Sequence, residues 1–259
     1  MQKIWVCGAR GQIGQAVNDV VDKLEFEMLD TDVDDLDVTD TDEVLRFGEM
    51  NRPDIIINCS GMTDISSCEE NPSQAFKVNA LGARNLAIVA AKMQAKMVQL
   101  STDDVFDGKS TEPYTEFDIT NPGTVYGKSK LAGENYVKEF TTKHFIVRST
   151  WVYGKGQNFI NGFLKKVDAG EQLSIASDQF GSPTSANELA RFLLHLVHTS
   201  EYGTYHATNK GVCSRYAFAQ EILKMTGKTA SMQPVPTVMS DFSKVRPAYA
   251  VLDNFIMSM

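Results

Sequence analysis

Short apolar runs alternate with stretches of helical periodicity through about the first 150 residues of this 259-residue chain. The apolar runs predict strands at Lys3 to Cys7, Phe26 to Leu29, Ile55 to Cys59, Met97 to Leu100 and Phe145 to Arg148. The periodic stretches predict helices at Gln12 to Lys23, Thr41 to Met50, Ser73 to Gln94 and Ser129 to Phe140. Because strands that are apolar on both faces need helices on both sides, the pattern predicts a doubly wound α/β fold around a parallel sheet.

The regular alternation ends near Trp151. Gly, Pro and Ser separate the later helical stretches, which lie near Phe159–Val167, Glu188–Thr199 and Tyr216–Thr226. We therefore predict a core at residues 1–155, to which later segments return, and a small C-terminal lobe at residues 156–259 that mainly binds substrate.

The bulk composition argues against some classes of partner. A formal net charge of −8 does not suit a broad nucleic-acid surface. The chain has no apolar run as long as a transmembrane helix and no signal-peptide pattern. None of the four cysteines (Cys7, Cys59, Cys68 and Cys213) forms a CxxC pair, which is typical of reduced thiols. We therefore expect a cytoplasmic protein without nucleic-acid or membrane partners.

Three glycines, Gly8, Gly11 and Gly14, follow the first predicted strand and open the first predicted helix. Glycine there permits a tight turn, lets the backbone approach a pyrophosphate and lets the helix pack closely on the strand. The free N–H groups of the helix N-terminus then face the phosphates. The sequence therefore predicts a Rossmann-type dinucleotide site formed by Gly8, Arg10, Gly11, Gln12, Ile13 and Gly14.

Two residues give opposite indications about the nicotinamide cofactor. Asp30 closes the second predicted strand, where a carboxylate that binds the adenosine ribose hydroxyls favours NAD. Arg10 lies inside the glycine loop, where a guanidinium suits the 2′-phosphate of NADP. We leave both NADPH and NADH open, and we expect Asp37 and Val38 near the adenine.

The sequence predicts no metal site. The acidic stretch that begins at Asp30 fails as a calcium loop, because Asp35 replaces the required glycine and Thr41 the required glutamate. His195 and His198 are three residues apart on a predicted helix but lack a Cys or acidic partner, so we interpret them as exposed helix residues.

Tyr126 and Lys130 are one helical turn apart and share a face of a predicted helix. A nearby cation favours the phenolate and lowers the pKa of a tyrosine, so this pair suits proton transfer near neutral pH. Thr102 follows the strand Met97 to Leu100, at an edge where a hydroxyl can donate to a substrate carbonyl. The tyrosine and lysine also fit an amphipathic helix with a snorkelling lysine, and Thr102 also fits a turn cap.

Longer motifs resemble one branch of the short-chain dehydrogenase/reductase superfamily. They are STDDVFDG at 101–108, NPGTVYGKSKLAGE at 121–134, RSTWVYG at 148–154, DQFGSPT at 178–184, and Arg246-Pro247 followed by VLDN at 251–254. Together with the glycine loop, these motifs are similar to those of the dTDP-4-dehydrorhamnose reductase family. The resemblance runs from the first strand to about Asn254.

The resemblance implies that the chain reduces the C4 keto group of a nucleotide-linked sugar, most closely dTDP-4-dehydro-L-rhamnose, with hydride from NADPH or NADH. It implies that Tyr126 protonates the sugar oxygen, that Lys130 binds the nicotinamide ribose and lowers the tyrosine pKa, and that Thr102 polarises the carbonyl.

Other positions acquire roles from the same resemblance. Matching residues would contact the cofactor, lie near the active site or line the sugar pocket: Gly61, Met62 and Thr63 at the cofactor, Asn79 near the active site and Trp151 beside the sugar. Further candidate substrate contacts are Asp103, Asp104 and Arg246. Because arginine binds phosphate bidentately, Arg191 and Arg246 are candidate ligands of the diphosphate.

Two segments depart from the family pattern. Asp104 replaces a tyrosine, and Ser66-Ser67 replaces an Asp-Lys pair, so the exact sugar stays open. The trio Thr102-Asp103-Asp104 also resembles the catalytic trio of nucleotide-sugar 4,6-dehydratases. The regulatory subunit of methionine adenosyltransferase resembles the family as well. A dehydratase or epimerase and a non-catalytic dinucleotide-binding subunit therefore remain alternatives, and we expect a monomer or a homodimer.

Overall fold

The computed structural model describes residues 1–239 and 246–258. Its strands are β1 (Gln2–Cys7), β2 (Phe26–Thr31), β3 (Ile55–Asn58), β4 (Lys96–Thr102), β5 (His144–Ser149), β6 (Val152–Tyr153), β7 (Leu173–Ala176), β8 (Phe180–Gly181), β9 (Thr184–Ser185), β10 (Gly203–His206), β11 (Cys213–Ser214) and β12 (Met232–Val235). Its α-helices are α1 (Gln12–Val20), α2 (Thr41–Asn51), α3 (Ile65–Glu70), α4 (Pro72–Phe76), α5 (Ala83–Met93), α6 (Val125–Phe140), α7 (Phe159–Asp168), α8 (Ala186–His198) and α9 (Arg215–Thr226). A π-helix, Lys77–Gly82, joins α4 to α5, and 3₁₀ turns occur at Asp103–Val105, Thr237–Met239 and Ile256–Ser258.

Within the described residues, six strands form one wholly parallel sheet in the order β2-β1-β3-β4-β5-β10. β2 lies on one side of β1 and β3 on the other, so the strand order reverses at this point. In such sheets, ligands bind where the order reverses, beyond the carboxyl ends of the strands. The predicted Rossmann-type doubly wound α/β fold is confirmed.

Alternate residues of the central strands are buried in two apolar layers. Ile4 and Val6 of β1 pack with residues of α1 and α8, whereas Trp5 and Cys7 pack with residues of α2 and α5. This alternation of period two is the reason that both faces of the sheet need helices. Each fully buried aliphatic side chain contributes roughly 1.5–3 kcal/mol relative to an exposed one, so the two layers make a firm support for the residues at the strand ends.

A smaller group of elements has an apolar cluster of its own. The cluster includes Phe163 of α7, Leu173 of β7 and Ile222 of α9, and β12 pairs with β7 outside the main sheet. In contrast, α8 packs on α1, and β10 pairs with β5. α8 and β10 therefore join the main sheet and its helices, while the predicted division near residue 155, with later segments returning to the core, stays a prediction.

Several predicted bounds are wrong in ways that matter for the site. β4 runs on to Thr102, and α6 begins at Val125 because the hydroxyl of Thr124 caps the backbone N–H of Gly127. The single helix predicted from Ser73 to Gln94 contains the π-helix. β10 is not among the predicted strands, because its four residues mix apolar and polar side chains.

The described residues contain no helix that is both long and apolar enough to cross a bilayer. The same part of the chain contains no group of three or more His, Cys, Asp or Glu side chains that could hold a metal ion. All four cysteines are free thiols.

Candidate active site

The loop between β1 and α1 depends on close backbone contacts that only glycine permits. Gly8 has a φ of +75°, and a Cβ atom there would lie 2.7 Å from the backbone nitrogen of Ser60. A Cβ atom on Gly14 would lie 2.4 Å from the carbonyl oxygen of Gly8. α1 begins after Gly11 without a side-chain cap, which leaves N–H groups of its first turn available to an anion. The loop therefore fits the diphosphate of a dinucleotide.

A cavity of about 520 Å³ opens beside this loop, at the carboxyl ends of β1, β2 and β3. The predicted cofactor residues that line it are Gly8, Arg10, Gly11, Asp37, Val38, Gly61 and Met62. β2 continues to Thr31, so Asp30 does not close the strand; it is exposed and does not line the cavity. Asp32 lies one residue beyond the strand and does line it, so Asp32, rather than Asp30, is the strand-end carboxylate at this cavity.

Arg10 is held beside this cavity by acidic residues. Its guanidinium pairs with Asp34 at 2.7 Å and with Asp35 at 2.6 Å, and its backbone N–H donates to Asp32 Oδ2 at 2.9 Å. Both ion pairs are exposed, and such pairs bind weakly, so the side chain is free to exchange a carboxylate for another anion. This corner contains a carboxylate suited to NADH and a guanidinium suited to NADPH, so the cofactor preference stays open.

A second cavity of about 420 Å³ adjoins the first, and the two share Gly11, Cys59, Ser60 and Gly61. It brings together the three predicted catalytic residues: Thr102 at the end of β4, and Tyr126 and Lys130 in the first turns of α6. Other predicted site residues that line it are Gln12, Ile13, Thr63, Asp103, Trp151 and Arg246. The predicted residues Gly14, Asp30 and Asp104 line neither cavity.

Asn79 of the π-helix connects the turn after β3 to α6. Its side-chain amide accepts the backbone N–H of Met62 at 2.8 Å and donates to the Met62 carbonyl at 2.9 Å. It also donates to Ser129 Oγ at 2.9 Å. α6 lies directly against the π-helix. The contact is so close that a Cβ atom on Gly133 would lie 2.4 Å from the Asn79 carbonyl oxygen. Asn79 therefore sets the position of the turn at Met62 relative to the helix that carries Tyr126.

Burial determines the protonation of the two central side chains. It lowers the pKa of Lys130 to about 8, against the opposing charges of Glu134 and Cys59. It raises the pKa of Tyr126 well above the ordinary value, and the Asp104 carboxylate adds to this rise, while a hydrogen bond with Thr102 opposes it. The predicted lowering of the Tyr126 pKa by Lys130 is therefore wrong, because the lost hydration of the phenolate dominates.

The two acidic residues after Thr102 have different environments. Asp103 accepts the hydroxyl of Thr102 at 2.9 Å and the hydroxyl of Thr150 at 2.6 Å, one on each carboxylate oxygen. Asp104 is buried, with Oδ2 at 3.5 Å from Arg246 Nη1 and no partner for Oδ1 among the described residues. Burial raises the pKa of Asp104 to about 7. Asp103 is therefore a positioning group for two hydroxyls, and Asp104 interacts with the site through its charge.

Trp151 enters the second cavity from a strained position. It is a non-glycine residue with a φ of +46°, and a Cβ atom on Gly181 would lie 2.5 Å from its indole ring. The guanidinium of Arg215, the first residue of α9, lies 3.4 Å from the centre of this ring and also lines the cavity. Gly181 of the DQFGSPT motif therefore makes the space that Trp151 occupies.

Sequence reasoning misses Arg215 as a site residue. The sequence does contain an electrostatic signal for Arg215. An arginine at the first position of a helix lies beside the positive end of the helix dipole, which is unfavourable and indicates a role other than helix stability. Arg191, the predicted diphosphate ligand, is instead exposed and paired with Glu188 beside a separate cavity that also contains Thr208 and Asn209. The structure thus brings Arg246 and Arg215, but not Arg191, to the catalytic residues.

The family model described as "RmlD substrate binding domain" matches residues 1–258. The spore coat polysaccharide biosynthesis protein SpsK of Bacillus subtilis is 35% identical to the chain over 255 residues, which cover 98% of this chain and 90% of SpsK. A solved dTDP-4-dehydrorhamnose reductase from Clostridium acetobutylicum is 42% identical, with a TM-score of 0.96 over 99% of this chain and 92% of that one. The dTDP-4-dehydrorhamnose reductase of Bacillus anthracis in complex with NADP is 36% identical, with a TM-score of 0.96 over 100% of this chain and 92% of that one.

Proposed function

This chain belongs to the family described as the RmlD substrate binding domain, and we propose that it is an NAD(P)H-dependent oxidoreductase that reduces the C4 keto group of a nucleotide-linked sugar. The observation that carries the proposal is the single cavity in which Thr102, Tyr126 and Lys130 meet beside the glycine loop. The dTDP-4-dehydrorhamnose reductases to which the chain is similar make dTDP-4-dehydro-L-rhamnose the first substrate to test, with dTDP-L-rhamnose as its product.

A bound nicotinamide cofactor supplies the hydride. The glycine loop is shaped for its diphosphate, since side chains at Gly8 or Gly14 would overlap backbone atoms. Lys130 lies at the junction of the two cavities, where a Cβ atom on Gly61 would be 3.8 Å from its Nζ atom. An ammonium at that point can donate to ribose hydroxyls.

Tyr126 is the proton donor in this proposal. Because burial and Asp104 raise its pKa, the phenol stays protonated at neutral pH, which is the form that reduction of a ketone requires. The phenolic proton passes to the sugar oxygen as negative charge develops there, and the keto oxygen becomes a hydroxyl. Thr102 lines the same cavity, and its hydroxyl, which donates to Asp103 in the free protein, would turn to donate to the same oxygen when the sugar binds.

The arrangement does not favour the alternatives. A 4,6-dehydratase needs an acid and a base that reach the sugar, but Asp103 already accepts two threonine hydroxyls and Asp104 does not line the cavity. A purely structural subunit has no need of a buried tyrosine, lysine and threonine around one cavity. We further predict a cytoplasmic monomer or homodimer, which sedimentation and cell fractionation would test.

Cofactor oxidation provides the test. Purified protein is mixed with a dTDP-4-keto-6-deoxy sugar, its epimerase and NADPH or NADH, and the absorbance of the reduced cofactor is followed. Turnover by the wild type, lost in Tyr126→Phe with NADPH binding retained, is the expected result. Formation of the 4-keto sugar from dTDP-glucose would indicate a lyase instead. Dinucleotide binding with neither activity would indicate a non-catalytic subunit.

A further inference from the structure

Arg215 carries a buried charge in the cavity that contains Tyr126, and its guanidinium forms no ion pair within the described residues. Its residue is 8% exposed and lines the cavity with Tyr126 and Lys130. Among residues 1–239 and 246–258, no carboxylate forms a salt bridge with its guanidinium, and no hydrogen bond engages the guanidinium nitrogens. Its backbone N–H alone is occupied, donating to the Gln179 carbonyl at 2.9 Å.

Aromatic rings hold the guanidinium in place. Its central carbon lies 3.4 Å from the centre of the Trp151 ring and 4.7 Å from that of Phe159. Cation–π contacts of this kind are weaker than the effective cost of burying an unpaired ion. The stacking therefore orients the plane of the guanidinium but does not balance its charge, and the N–H groups at its edges remain available.

The N-terminus of α9 and the side chain of Arg246 add positive potential around Arg215. Arg215 is the first residue of the twelve-residue helix α9, so the positive end of the helix dipole lies beside it. Burial and the charge of Arg246 lower the pKa of Arg215 to about 9, and the nearby Asp103 carboxylate opposes this fall only in part, so Arg215 is charged at neutral pH without a paired anion. Arg246 is already paired with Asp104, so Arg215 is the cation with the greater need of a ligand.

We propose that Arg215, stacked on Trp151, binds the diphosphate group of the nucleotide-linked sugar. The inference rests on the proposed function, because a nucleoside diphosphate sugar is the anion that the reaction brings into this cavity. A guanidinium fixed by stacking on one face suits a phosphate, since its fork of N–H groups donates to two oxygens at once. The cofactor diphosphate has its own site at the glycine loop, so the two diphosphates would bind at different places.

Binding of dTDP measures the contribution of Arg215. Calorimetric titration of the full chain with dTDP, thymidine and NADPH is carried out on the wild type, Arg215→Gln, Arg215→Lys and Arg46→Gln. Arg46 is an exposed arginine on α2 and serves as the matched control. We expect Arg215→Gln to weaken dTDP binding about 10- to 100-fold, the range for a charged hydrogen bond. Affinity for thymidine and NADPH should stay at wild-type level, and Arg215→Lys should recover part of the loss.

The proposal would be overturned by no dTDP binding by the wild type, by an unchanged dTDP affinity in Arg215→Gln, or by an equal loss of NADPH affinity in that variant. An equal loss for thymidine would show a general collapse of the cavity, and it would also count against the diphosphate role. Steady-state kinetics separate this proposal from the proposed function. If the wild type reduces the sugar while Arg215→Gln keeps the wild-type KM for it, the function stands and the diphosphate site is wrong.

Discussion

Asp104 brings a second acidic group within electrostatic reach of Tyr126. Burial raises the pKa of Asp104 to about 7, Arg246 opposes this rise and Asp103 adds to it. The charge of Asp104 in turn raises the pKa of Tyr126, so an ionised Asp104 disfavours the phenolate. Near pH 7, Asp104 therefore gains or loses a proton beside a phenol that stays protonated.

We expect Asp104→Asn to change how stability depends on pH. An aspartate in the unfolded chain ionises near pH 4, whereas Asp104 in the folded chain stays protonated up to about pH 7. The folded state binds more protons within this window, so the stability of the wild type falls as the pH rises through it. Urea unfolding measures this free energy for both proteins between about pH 5 and pH 8. Over this range, the fall in the unfolding free energy of the variant should be smaller than the fall in the wild type, by on the order of 1–4 kcal/mol. Parallel curves for the two proteins would contradict the raised pKa.

Arg10 offers a separate test of cofactor preference. Its partners Asp34 and Asp35 are exposed carboxylates, which a 2′-phosphate can replace without uncovering a buried charge. We expect Arg10→Ala to weaken NADPH binding about tenfold and to leave NADH binding unchanged, since only NADPH carries the 2′-phosphate. Fluorescence titration with both cofactors measures this, and the melting temperature serves as the control for folding. An equal loss for both cofactors would assign Arg10 to the shape of the loop instead.

Residues whose chemistry lies within a motif could be predicted from the sequence, and residues that depend on distant partners could not. Tyr126 and Lys130 are recognisable because helical spacing alone puts them on one face. The direction of the Tyr126 pKa is not recognisable, because it depends on burial and on Asp104. Arg215 acquires its importance only from the ring of Trp151, which the fold brings to it.

Helix α6 and the π-helix act together as the support for the catalytic residues. α6 carries Tyr126 and Lys130, and its Gly133 rests against the backbone of Asn79 in the π-helix. Asn79 in turn holds the turn at Met62. A change in the spacing of the two helices would therefore move Tyr126 relative to the turn at Met62.

Gly133→Ala tests this support directly. Its new methyl group would lie 2.4 Å from the carbonyl oxygen of Asn79, and a backbone atom cannot rotate away as a flexible side chain can. We expect a loss of roughly 1–3 kcal/mol in unfolding free energy, typical of overpacking, together with a lower kcat.

Gly162→Ala is the matched control for that substitution. Gly162 also lies inside a helix, α7, but a Cβ atom there would meet no atom within 4 Å. Alanine should therefore be neutral or stabilise the protein by roughly 0.5–1 kcal/mol. Equal effects of the two variants in urea unfolding would show that the contact between α6 and the π-helix is not tight.

The type of most elements could be predicted because the period of the apolar pattern changes between strands and helices. The π-helix could not, because a shift in hydrogen-bond register leaves the apolar pattern of Ser73 to Gln94 almost unchanged. The start of α6 depends on a cap at Thr124 that lies before the periodic stretch. β10 is short and mixed in polarity, and only its pairing with β5 identifies it as a strand.

The second cavity, in which Thr102, Tyr126 and Lys130 meet, is formed by two parts of the molecule. Thr102 and Tyr126 belong to the sheet and helices of the core, whereas Phe159 and Arg215 come from α7 and α9 of the smaller group. The first cavity, in contrast, is lined by core residues alone, all of them before residue 80. We therefore expect the cofactor to contact elements of the core, and the nucleotide of the substrate to contact α7 and α9 as well.

We expect the two ligands to protect different segments from hydrogen exchange. NADPH should slow exchange in the loop from Gly8 to Gly14, and dTDP should slow it at the start of α9, where Arg215 lies. At 100 times its Kd, each ligand stabilises the folded state by about 2.7 kcal/mol, which corresponds to a rise of roughly 5–10 °C in Tm for a chain of this size. In Arg215→Gln the NADPH effects should persist, while dTDP at the same concentration should protect α9 less and should lose roughly half or more of its Tm rise. Protection of α9 by NADPH alone would show that the cofactor already orders both parts, and that the smaller group does not respond separately to the nucleotide of the substrate.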